Sequence, residues 1–276
     1  IGGSMALSWK RAGIVDEVIA FGHNPATLQK ALDKGAADTV TTSMEEAVKD
    51  ADIVVSAVPV EAMESVFTEM APFLKSDAVV TDVGSTRQTV IAAARKGLGD
   101  KFHQYAPAHP IAGGEMPGVD YASADLFDEK VVISTPDEGM DPKVVTFIEE
   151  AWRKAGARVQ AMSPLQHDLT FASVSHLPHV LAYALVDMIA REENAQEKLK
   201  MAGAGFRDFT RIASSSPVMW RDICLSNREA LSHELKRYRA SLDTLQKYID
   251  ESDGKALESV FENAVRNRRG LVFPGK

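Results

Sequence analysis

Two loops in the first half of the chain carry polar side chains that could perform acid–base chemistry. Residues 83–87 follow a predicted strand that ends at Asp82, and His109 follows another predicted strand over 102–105. Doubly wound α/β folds bind their ligands at the carboxyl ends of such strands. Because Pro110 disfavours helix at the preceding residue, His109 is predicted to lie in an extended loop. There it could take a hydroxyl proton while the hydroxyl-bearing carbon loses hydride, although an ordinary loop histidine is the simpler alternative.

Ser85, in the first of these loops, has two compatible roles. It directly precedes a predicted helix over Thr86–Lys96, and serine commonly caps the first turn of a helix. Its hydroxyl is equally well placed to contribute to an active site. The sequence leaves both roles open.

A second set of polar side chains lies on predicted helices in the second half. His167, His176 and His179 are spaced by nine and three residues, and the last two fall on a similar face of one helix. No cysteine accompanies them and the spacing is not a known metal-binding pattern, so no metal site is predicted. We interpret His176 as a core histidine.

A cluster of charged residues further along the chain is suited to binding an anion. A glycine-rich turn at 203–205 leads into a short helix, predicted near Phe206–Ala213, that carries Arg207, Asp208 and Arg211. The two arginines are four residues apart and would share a helical face. Guanidinium groups bind carboxylates through two parallel hydrogen bonds. This segment therefore predicts a binding site for an anionic substrate.

The first residues of the chain have the pattern that ends a dinucleotide-binding turn. Gly2, Gly3 and Ser4 lead into a predicted helix over Met5–Ala12. The N-terminus of such a helix offers N–H groups and a positive dipole end to a pyrophosphate. A plain glycine turn before a helix is the alternative. No strand precedes Ile1, so we expect the natural protein to carry several more residues that include the first strand and the remaining glycines.

The segment after the second strand, predicted over Glu17–Phe21, bears on the choice of cofactor. NAD sites usually carry Asp or Glu there to bind the ribose 2′-hydroxyl, whereas this chain has Gly22, His23 and Asn24. His23 and Asn24 could instead donate hydrogen bonds to a 2′-phosphate. The sequence therefore favours NADP, or the use of both cofactors, and the preference is mild because the segment contains no arginine.

Strand and helix patterns alternate as far as Ala161 and then give way to helices alone. Short apolar runs such as residues 53–55 indicate strands buried on both faces, which is typical of a parallel sheet. The prediction is a doubly wound, Rossmann-like α/β domain over residues 1–162, followed by an all-α domain over residues 163–276. The main predicted strands are Glu17–Phe21, Asp52–Ala57, Ala78–Asp82, Lys130–Ser134 and Arg158–Ala161. The helices of the second half are predicted over Pro164–Arg191, Phe206–Ala213, Pro217–Asp250 and Gly254–Asn267.

The overall composition excludes several classes of protein. The 276 residues carry a formal net charge of −8, which argues against a nucleic-acid partner. The single cysteine, Cys224, excludes an intramolecular disulfide and suits a reducing cytoplasm. The apolar stretch Leu177–Ala190 contains His179 and Asp187 and is too short to cross a membrane. We therefore expect a cytoplasmic protein without membrane or nucleic-acid partners.

Five segments taken together resemble the prephenate and arogenate dehydrogenase family. They are GSTR at 84–87, HPIAGGE at 109–115, SHLPH at 175–179, GFRDFTRIA at 205–213 and MWRDI at 219–223. Each is short, but their order and spacing are specific, and the resemblance extends over nearly the whole chain. It implies an NAD(P)-dependent enzyme that oxidises and decarboxylates prephenate or arogenate on the route to tyrosine. The family's helical domain also implies a homodimer.

The resemblance further implies roles for individual residues. His109 would accept the proton of the substrate's ring hydroxyl, Ser85 would lie beside the nicotinamide and orient His109, and Arg211 would bind a substrate carboxylate. The other residues of the substrate pocket would be His179, His167, Glu115, Asp208 and Trp220. The cofactor would contact Gly2, Gly3, Ser4, His23, Asn24, Val58, Pro59 and Ser85.

Two alternatives to this function remain. Another NAD(P)-dependent β-hydroxyacid dehydrogenase would share the two-domain plan, but such enzymes typically place a lysine on the first long helix of the second domain, where this chain has histidines. A non-catalytic dinucleotide-sensing dimer would have no use for both His109 and Arg211. The chain departs from the family in two features. The sequence lacks the first strand, and it lacks the carboxylate that usually follows the second strand.

Overall fold

Strands and helices alternate through the first half of the computed structural model, which describes residues 1–113, 116 and 118–271. The strands are β1 (Ile19–Phe21), β2 (Thr39–Thr41), β3 (Ile53–Ser56), β4 (Val79–Asp82), β5 (Tyr105–Ala106), β6 (Ala108–Pro110), β7 (Val131–Ser134) and β8 (Arg158–Ala161). The helices of this half are α1 (Gly2–Arg11), α2 (Pro25–Asp33), α3 (Met44–Val48), α4 (Met63–Met70), α5 (Gln88–Leu98) and α6 (Pro142–Lys154).

The strands pair in three groups, mostly in parallel. β1 pairs with β2, β3 with β4, and β4 with β5, all in parallel. β7 pairs in parallel with β8 and antiparallel with β6. This arrangement confirms the predicted α/β class, but it corrects the expectation that His109 lies in a loop. Pro110 favours extended backbone at His109, and β7 supplies a pairing partner that the local sequence does not reveal.

After β8 the described chain is helical, which confirms the predicted all-α second half. Ser163 accepts a hydrogen bond from the N–H of Gln166 and Pro164 occupies the first helical position, as expected for a helix start. A π-helical turn, Ala172–His176, joins the first two helices into one run. The helices are α7 (Pro164–Phe171), α8 (Leu177–Ala190), α9 (Ala195–Lys200), α10 (Ala204–Thr210), α11 (Pro217–Ser226), α12 (Arg228–Asp250) and α13 (Gly254–Gly270).

Asn227 divides the single helix predicted over Pro217–Asp250 into α11 and α12. Its Nδ2 donates to the carbonyl oxygen of Asp168, at 2.8 Å, and lies 3.1 Å from Nδ1 of His176. These partners come from a distant part of the chain, so the break is invisible in the local helical pattern. The turn at Asn227 allows α12 to pack against α7 and α8.

The sequence pattern also misses α2 and β2 and misplaces one strand. Helix α2 does have local signals, since the Asn24 side chain accepts hydrogen bonds from two N–H groups of the first turn and Pro25 follows it. The strand predicted over 102–105 is mostly the 3-10 helix Gly99–Gln104, and only Tyr105–Ala106 pairs with β4.

The hydrophobic core lies mainly in the α/β half. Trp152 of α6 meets Trp9 of α1 and Phe127 edge to face, with ring centroids 5.6 and 5.0 Å apart. The helical half instead leaves large apolar side chains exposed, among them Met188, Leu242, Ile249, Phe261 and Val265. Exposed apolar surface of this extent is typical of a protein–protein contact.

The continuous helical run from Pro164 to Ala190 has 27 residues and is long and apolar enough, by length and composition alone, to cross a membrane. The stretch expected to be too short is therefore part of a longer helix. However, His167, Asp168 and His176 within this run are almost fully buried inside the protein. We interpret the run as a helix that packs against the rest of the protein through these buried side chains and leaves an apolar face exposed.

Candidate active site

A fully buried ion pair connects the two loops that the sequence singles out. Arg87 and Asp82 meet through two hydrogen bonds, Nη1 to Oδ2 at 2.9 Å and Nη2 to Oδ1 at 2.8 Å. Tyr105 donates its hydroxyl to Asp82 Oδ1 at 2.6 Å. Burial alone would lower the pKa of Arg87, but the Asp82 carboxylate raises it above its usual value, so the guanidinium stays charged. We call Asp82, Arg87 and Tyr105 the buried cluster.

The buried cluster holds the backbone next to both predicted catalytic residues. Arg87 Nη1 donates to the carbonyl oxygens of Gly84 and Ala108, at 2.8 and 3.3 Å. Ser85 directly follows Gly84, and His109 directly follows Ala108. One guanidinium therefore fixes the position of both residues relative to each other.

His109 lies partly buried in β6, beside the first helix of the second half. Its Nδ1 is 2.7 Å from Nε2 of His167, and its ring packs on Phe171 with centroids 5.1 Å apart. Burial, together with the neighbouring His167 and Arg87, lowers the pKa of His109 well below its usual value. The imidazole is therefore neutral near pH 7 and able to accept a proton.

His167 is held in turn by Asp168, its neighbour on α7. Nδ1 of His167 lies 2.9 Å from Oδ1 of Asp168. The same carboxylate accepts the N–H of Arg87 at 2.7 Å and that of Gln88 at 3.0 Å, at the start of α5. Asp168, from the helical half, therefore caps α5, which corrects the cap role predicted for Ser85. We call His109, His167 and Asp168 the histidine chain.

A more open set of polar side chains lies on the helical half. The Trp220 indole stacks on the His179 imidazole, with centroids 3.7 Å apart and planes at 20°. Nδ1 of His179 is 2.9 Å from the carbonyl oxygen of Ser175, so Nδ1 donates and Nε2 is an acceptor in the neutral ring. Burial and then the charge of Arg211 lower the pKa of His179. We call His179, Trp220 and Arg211 the outer group.

A series of contacts links the histidine chain to the outer group. His176 is buried, as a core histidine should be, and burial lowers its pKa to about 4. Its Nδ1 faces Asn227, which also binds the Asp168 carbonyl oxygen. On its other side the ring packs edge-on against Trp220, with centroids 6.1 Å apart. The predicted residues in this series are His109, His167, His179 and Trp220, and Arg211 acts on His179 through its charge.

The remaining predicted substrate residues are not part of this series. Helix α10 ends at Thr210, and Arg211, still in helical conformation, begins the 3-10 turn that follows it. Arg207 lies 3.5 Å from Asp208, and both side chains are exposed. Glu115 lies outside the described residues.

The start of α1 fits the pyrophosphate of a dinucleotide. A Cβ on Gly2 would lie 2.8 Å from the Cβ of Ala57, and one on Gly3 would lie 3.0 Å from Cγ2 of Val119, so neither position has room for a side chain. The first N–H groups of a helix have no acceptor within it, and its dipole favours an anion at this end. Gly2 and Gly3 could therefore hold a bound NAD(P) through backbone N–H groups.

The other predicted cofactor residues differ in whether their side chains already form hydrogen bonds within the protein. Ser4 is buried, and its hydroxyl accepts a hydrogen bond from the N–H of Ser123. Asn24 uses Oδ1 to cap α2, which leaves its Nδ2 as a donor. His23 is exposed beside Phe21. Residues 58–59 follow β3 and precede a 3-10 turn.

Both halves of the chain match models of one protein family. Residues 5–161 match the model described as prephenate dehydrogenase, nucleotide-binding domain, and residues 163–263 match prephenate dehydrogenase, dimerization domain. The chain belongs to the prephenate dehydrogenase family. Membership confirms the family predicted from the five sequence segments, and it makes the protein an NAD(P)-dependent oxidoreductase.

Several prephenate dehydrogenase relatives are similar along most of their length. Cyclohexadienyl dehydrogenase of Zymomonas mobilis is 38% identical over 85% of this chain and 80% of its own. Prephenate dehydrogenase of Bacillus subtilis is 34% identical over 100% of this chain and 75% of its own. The structure of Aquifex aeolicus prephenate dehydrogenase with hydroxyphenyl propionate and NAD+ has a TM-score of 0.88 at 35% identity, covering 97% of this chain and 93% of that one.

Three residues that shape this prephenate dehydrogenase site were not predicted from the sequence. Asp82 ends a strand buried on both faces, and a carboxylate there signals a buried ion pair with a nearby arginine. Asp168 is adjacent to His167, which offers a weak signal for a histidine–carboxylate pair. Asn227 offers no signal, because its partners are distant in sequence.

Proposed function

We propose that the protein catalyses the oxidative decarboxylation of prephenate or arogenate with NAD(P)+, a step of tyrosine biosynthesis. The observation that carries this proposal is the environment of His109, a neutral and partly buried histidine. A series of contacts connects it to Trp220 and His179, and the charge of Arg211 acts on His179. His109 accepts a proton and Arg211 binds an anion. A cyclohexadienyl acid, which has a ring hydroxyl and carboxylates, requires both.

The reaction needs one base and accurate placement of the substrate. His109 accepts the proton of the ring hydroxyl as the carbon that bears it gives up hydride. NAD(P)+, which the first backbone N–H groups of α1 would hold, would supply the hydride acceptor. The bond to the ring carboxylate then breaks, its electron pair enters the ring, and CO₂ leaves. The proton returns from His109 to the phenolic oxygen, and the gain of aromaticity makes the reaction effectively irreversible.

The outer group supplies recognition of the substrate. Arg211 binds a substrate carboxylate through its planar guanidinium. The stacked rings of His179 and Trp220 form an apolar wall with one imidazole acceptor. Glu115 and Asp208 act as supporting polar groups, and Ser85 orients His109 and the nicotinamide from the loop that Arg87 holds.

We further propose that the cofactor is NADP, or both NADP and NAD, with a mild preference for NADP. NAD binding is supported by the nucleotide-binding domain and by the NAD+ complex of the A. aeolicus relative. The residues after β1 are Gly22, His23 and Asn24, none of which would repel a 2′-phosphate. His23 and Nδ2 of Asn24 are the available donors.

We propose that the chain has two domains, residues 1–162 and 163–276. The proposed assembly is a homodimer formed through the second, helical domain. Residues 163–263 match a dimerization domain, and the exposed apolar side chains of α8, α12 and α13 require a partner surface. Neither a membrane nor a nucleic acid is needed for this function, and a cytoplasmic location suits its soluble substrates.

Substrate oxidation followed at the absorbance of NAD(P)H tests the proposed function. Prephenate and arogenate should each be supplied with NAD+ and with NADP+, and CO₂ release should match the reduced cofactor one to one. A simple 3-hydroxyacid is the control substrate and should not be oxidised. Oxidation of the hydroxyacid without CO₂ release would assign the protein to a different dehydrogenase class, and cofactor binding without any reduction would indicate a sensor.

A further inference from the structure

We propose that Asp168 is a positioning residue that sets the tautomers of His167 and His109, so that His109 offers an unprotonated Nε2 to the substrate. The proposal rests on the proposed function in taking His109 as the base. Asp168 itself contacts no substrate. Because the same carboxylate caps α5, the state of the base depends on the contact between the helical half and the α/β half.

The first step concerns the ionisation of Asp168. Its oxygens receive the backbone N–H groups of Arg87 and Gln88, at 2.7 and 3.0 Å, and these groups can only donate. Burial alone would raise the pKa of Asp168, but the hydrogen bonds from His167 and from the two N–H groups lower it. The positive dipole end of α5 acts in the same direction. Asp168 is therefore an ionised carboxylate that accepts hydrogen bonds and donates none.

The second step fixes the tautomer of His167. Its Nδ1 lies 2.9 Å from Oδ1 of Asp168, and since the carboxylate has no proton, Nδ1 must carry one. Burial lowers the pKa of His167, even though the hydrogen bond to Asp168 opposes the shift. The ring is therefore neutral and carries a single proton. Its Nε2 is left as an acceptor.

The third step transfers this choice to His109. Nδ1 of His109 lies 2.7 Å from the acceptor Nε2 of His167, so the hydrogen bond requires a proton on Nδ1 of His109. Neutral His109 then has an unprotonated Nε2, which is the nitrogen able to take the hydroxyl proton. Once protonated, His109 donates into a chain that ends in a carboxylate, which stabilises the imidazolium.

Other groups around the histidine chain do not replace Asp168. The Arg87 guanidinium is bound to Asp82, and His176 faces the amide of Asn227. Arg87 and His176 both lower the pKa of His109, so neither favours its protonated form. Among the residues that the structure describes, Asp168 is the carboxylate in contact with His167.

Asp168→Asn tests the proposal because it keeps the shape of the side chain and removes its charge. We expect kcat to fall about 10- to 100-fold, since the base no longer has its tautomer fixed. The KM values of substrate and cofactor should stay within about twofold, because neither ligand touches Asp168. The acid limb of kcat should move to lower pH, because the carboxylate that stabilises protonated His109 through His167 is gone. Asp168→Glu keeps the charge and should recover part of kcat.

Thr89→Ala is the matched control for the contact between the two halves. It removes the 3.0 Å hydrogen bond from Thr89 Oγ1 to the carbonyl oxygen of Ser226 and leaves the histidine chain intact. It should leave kcat, KM and the acid limb unchanged. A kcat within twofold of wild type in Asp168→Asn, or an equal loss in both variants, would overturn the proposal.

Nitrogen NMR of ¹⁵N-histidine-labelled wild-type protein gives a second test that requires neither turnover nor a folded variant at position 168. The signals of His109 are identified by their loss in His109→Asn. The proposal requires a proton on Nδ1 and none on Nε2 of His109, and the opposite tautomer would overturn it. Because this measurement uses the resting protein, it separates a failure of the tautomer assignment from absence of activity with prephenate and arogenate.

Discussion

The buried cluster and the outer group are both polar and both belong to the candidate site, yet they are built in opposite ways. Asp82, Arg87 and Tyr105 are each 0% exposed and are bound to one another at 2.6–3.2 Å. His179 is only partly buried and Arg211 is exposed. A buried pair cannot rearrange without leaving a charge unpaired, whereas an exposed side chain can adjust to a ligand. The buried cluster therefore sets positions, and the outer group is the part to which we assign recognition of the substrate.

The largest effect should follow from breaking the buried cluster. Asp82→Asn would leave the Arg87 guanidinium buried without a counter-charge, and we expect unfolding free energy to fall by about 3–5 kcal/mol. Urea denaturation measures this change. Glu64→Gln, which removes an exposed ion pair with Lys96, is the control and should cost at most about 1 kcal/mol. Similar losses in the two variants would contradict the role assigned to the buried cluster.

His109→Asn should lower kcat by about two or more orders of magnitude, the usual contribution of a general base. Cofactor affinity should barely change, because His109 belongs to the histidine chain and not to the start of α1. Steady-state kinetics and cofactor titration measure the two quantities separately. Turnover close to that of the wild type would remove His109 from the mechanism.

The pH dependence should show the effect of burial on this base. Because burial holds the pKa of His109 well below its usual value, we expect the acid limb of kcat/KM to lie below the usual histidine pKa of about 6.5. A protonated His109 can no longer accept the substrate's proton, so activity is lost as pH falls through its pKa. A lowered pKa therefore moves the acid limb to lower pH. Folding must be followed by circular dichroism in parallel. Histidines with lowered pKa values take up protons more readily in the unfolded chain, so the folded protein becomes less stable as pH falls below about 6.5. An acid limb at pH 7 with the fold intact would contradict this assignment.

The two-domain architecture could be predicted because it depends on local patterns. Apolar runs such as Ile53–Ser56 mark buried strands, and Ser163 with Pro164 marks the start of α7. Candidate site residues could also be predicted from the sequence. A histidine before proline suggests a base in an extended segment, and closely spaced arginines suggest an anion-binding site. These features require no knowledge of which distant residues meet.

Contacts between distant residues account for what could not be predicted. The cap of α5 comes from Asp168, about eighty residues further along the chain, so Ser85 was a reasonable but incorrect expectation. The helix break at Asn227 depends on Asp168 and His176, and the strand at His109 depends on β7. In each case the local structure depends on a residue that is distant in sequence and comes close only in the folded chain.

Arg211→Ala tests the recognition role of the outer group. We expect KM for the substrate to rise about tenfold or more, because hydrogen bonds to a charged group contribute more than neutral ones, while NADP binding stays unchanged. Arg207→Ala is the matched control, since Arg207 is exposed and lies beside Asp208. A KM within a factor of two of wild type in Arg211→Ala would show that Arg211 serves the fold and not the substrate.

The smallest expected effect is a change of cofactor preference that leaves both the buried cluster and the outer group untouched. An acidic side chain after β1 would bind the ribose 2′-hydroxyl of NAD and repel the 2′-phosphate of NADP, and this chain has none at residues 22–24. We therefore expect kcat/KM for NADP to be at least equal to that for NAD, and His23→Asp to shift the preference towards NAD by several-fold.

Gly22→Asp is a second variant for the same position, because a Cβ on Gly22 would meet Leu28 only at an ordinary contact distance of 3.4 Å. The variant with the larger shift identifies the residue that faces the ribose. In both variants the KM for the substrate should stay constant, since neither residue belongs to the outer group. A wild-type protein that prefers NAD by tenfold or more would show that a different residue binds the ribose and that the missing carboxylate does not determine cofactor choice.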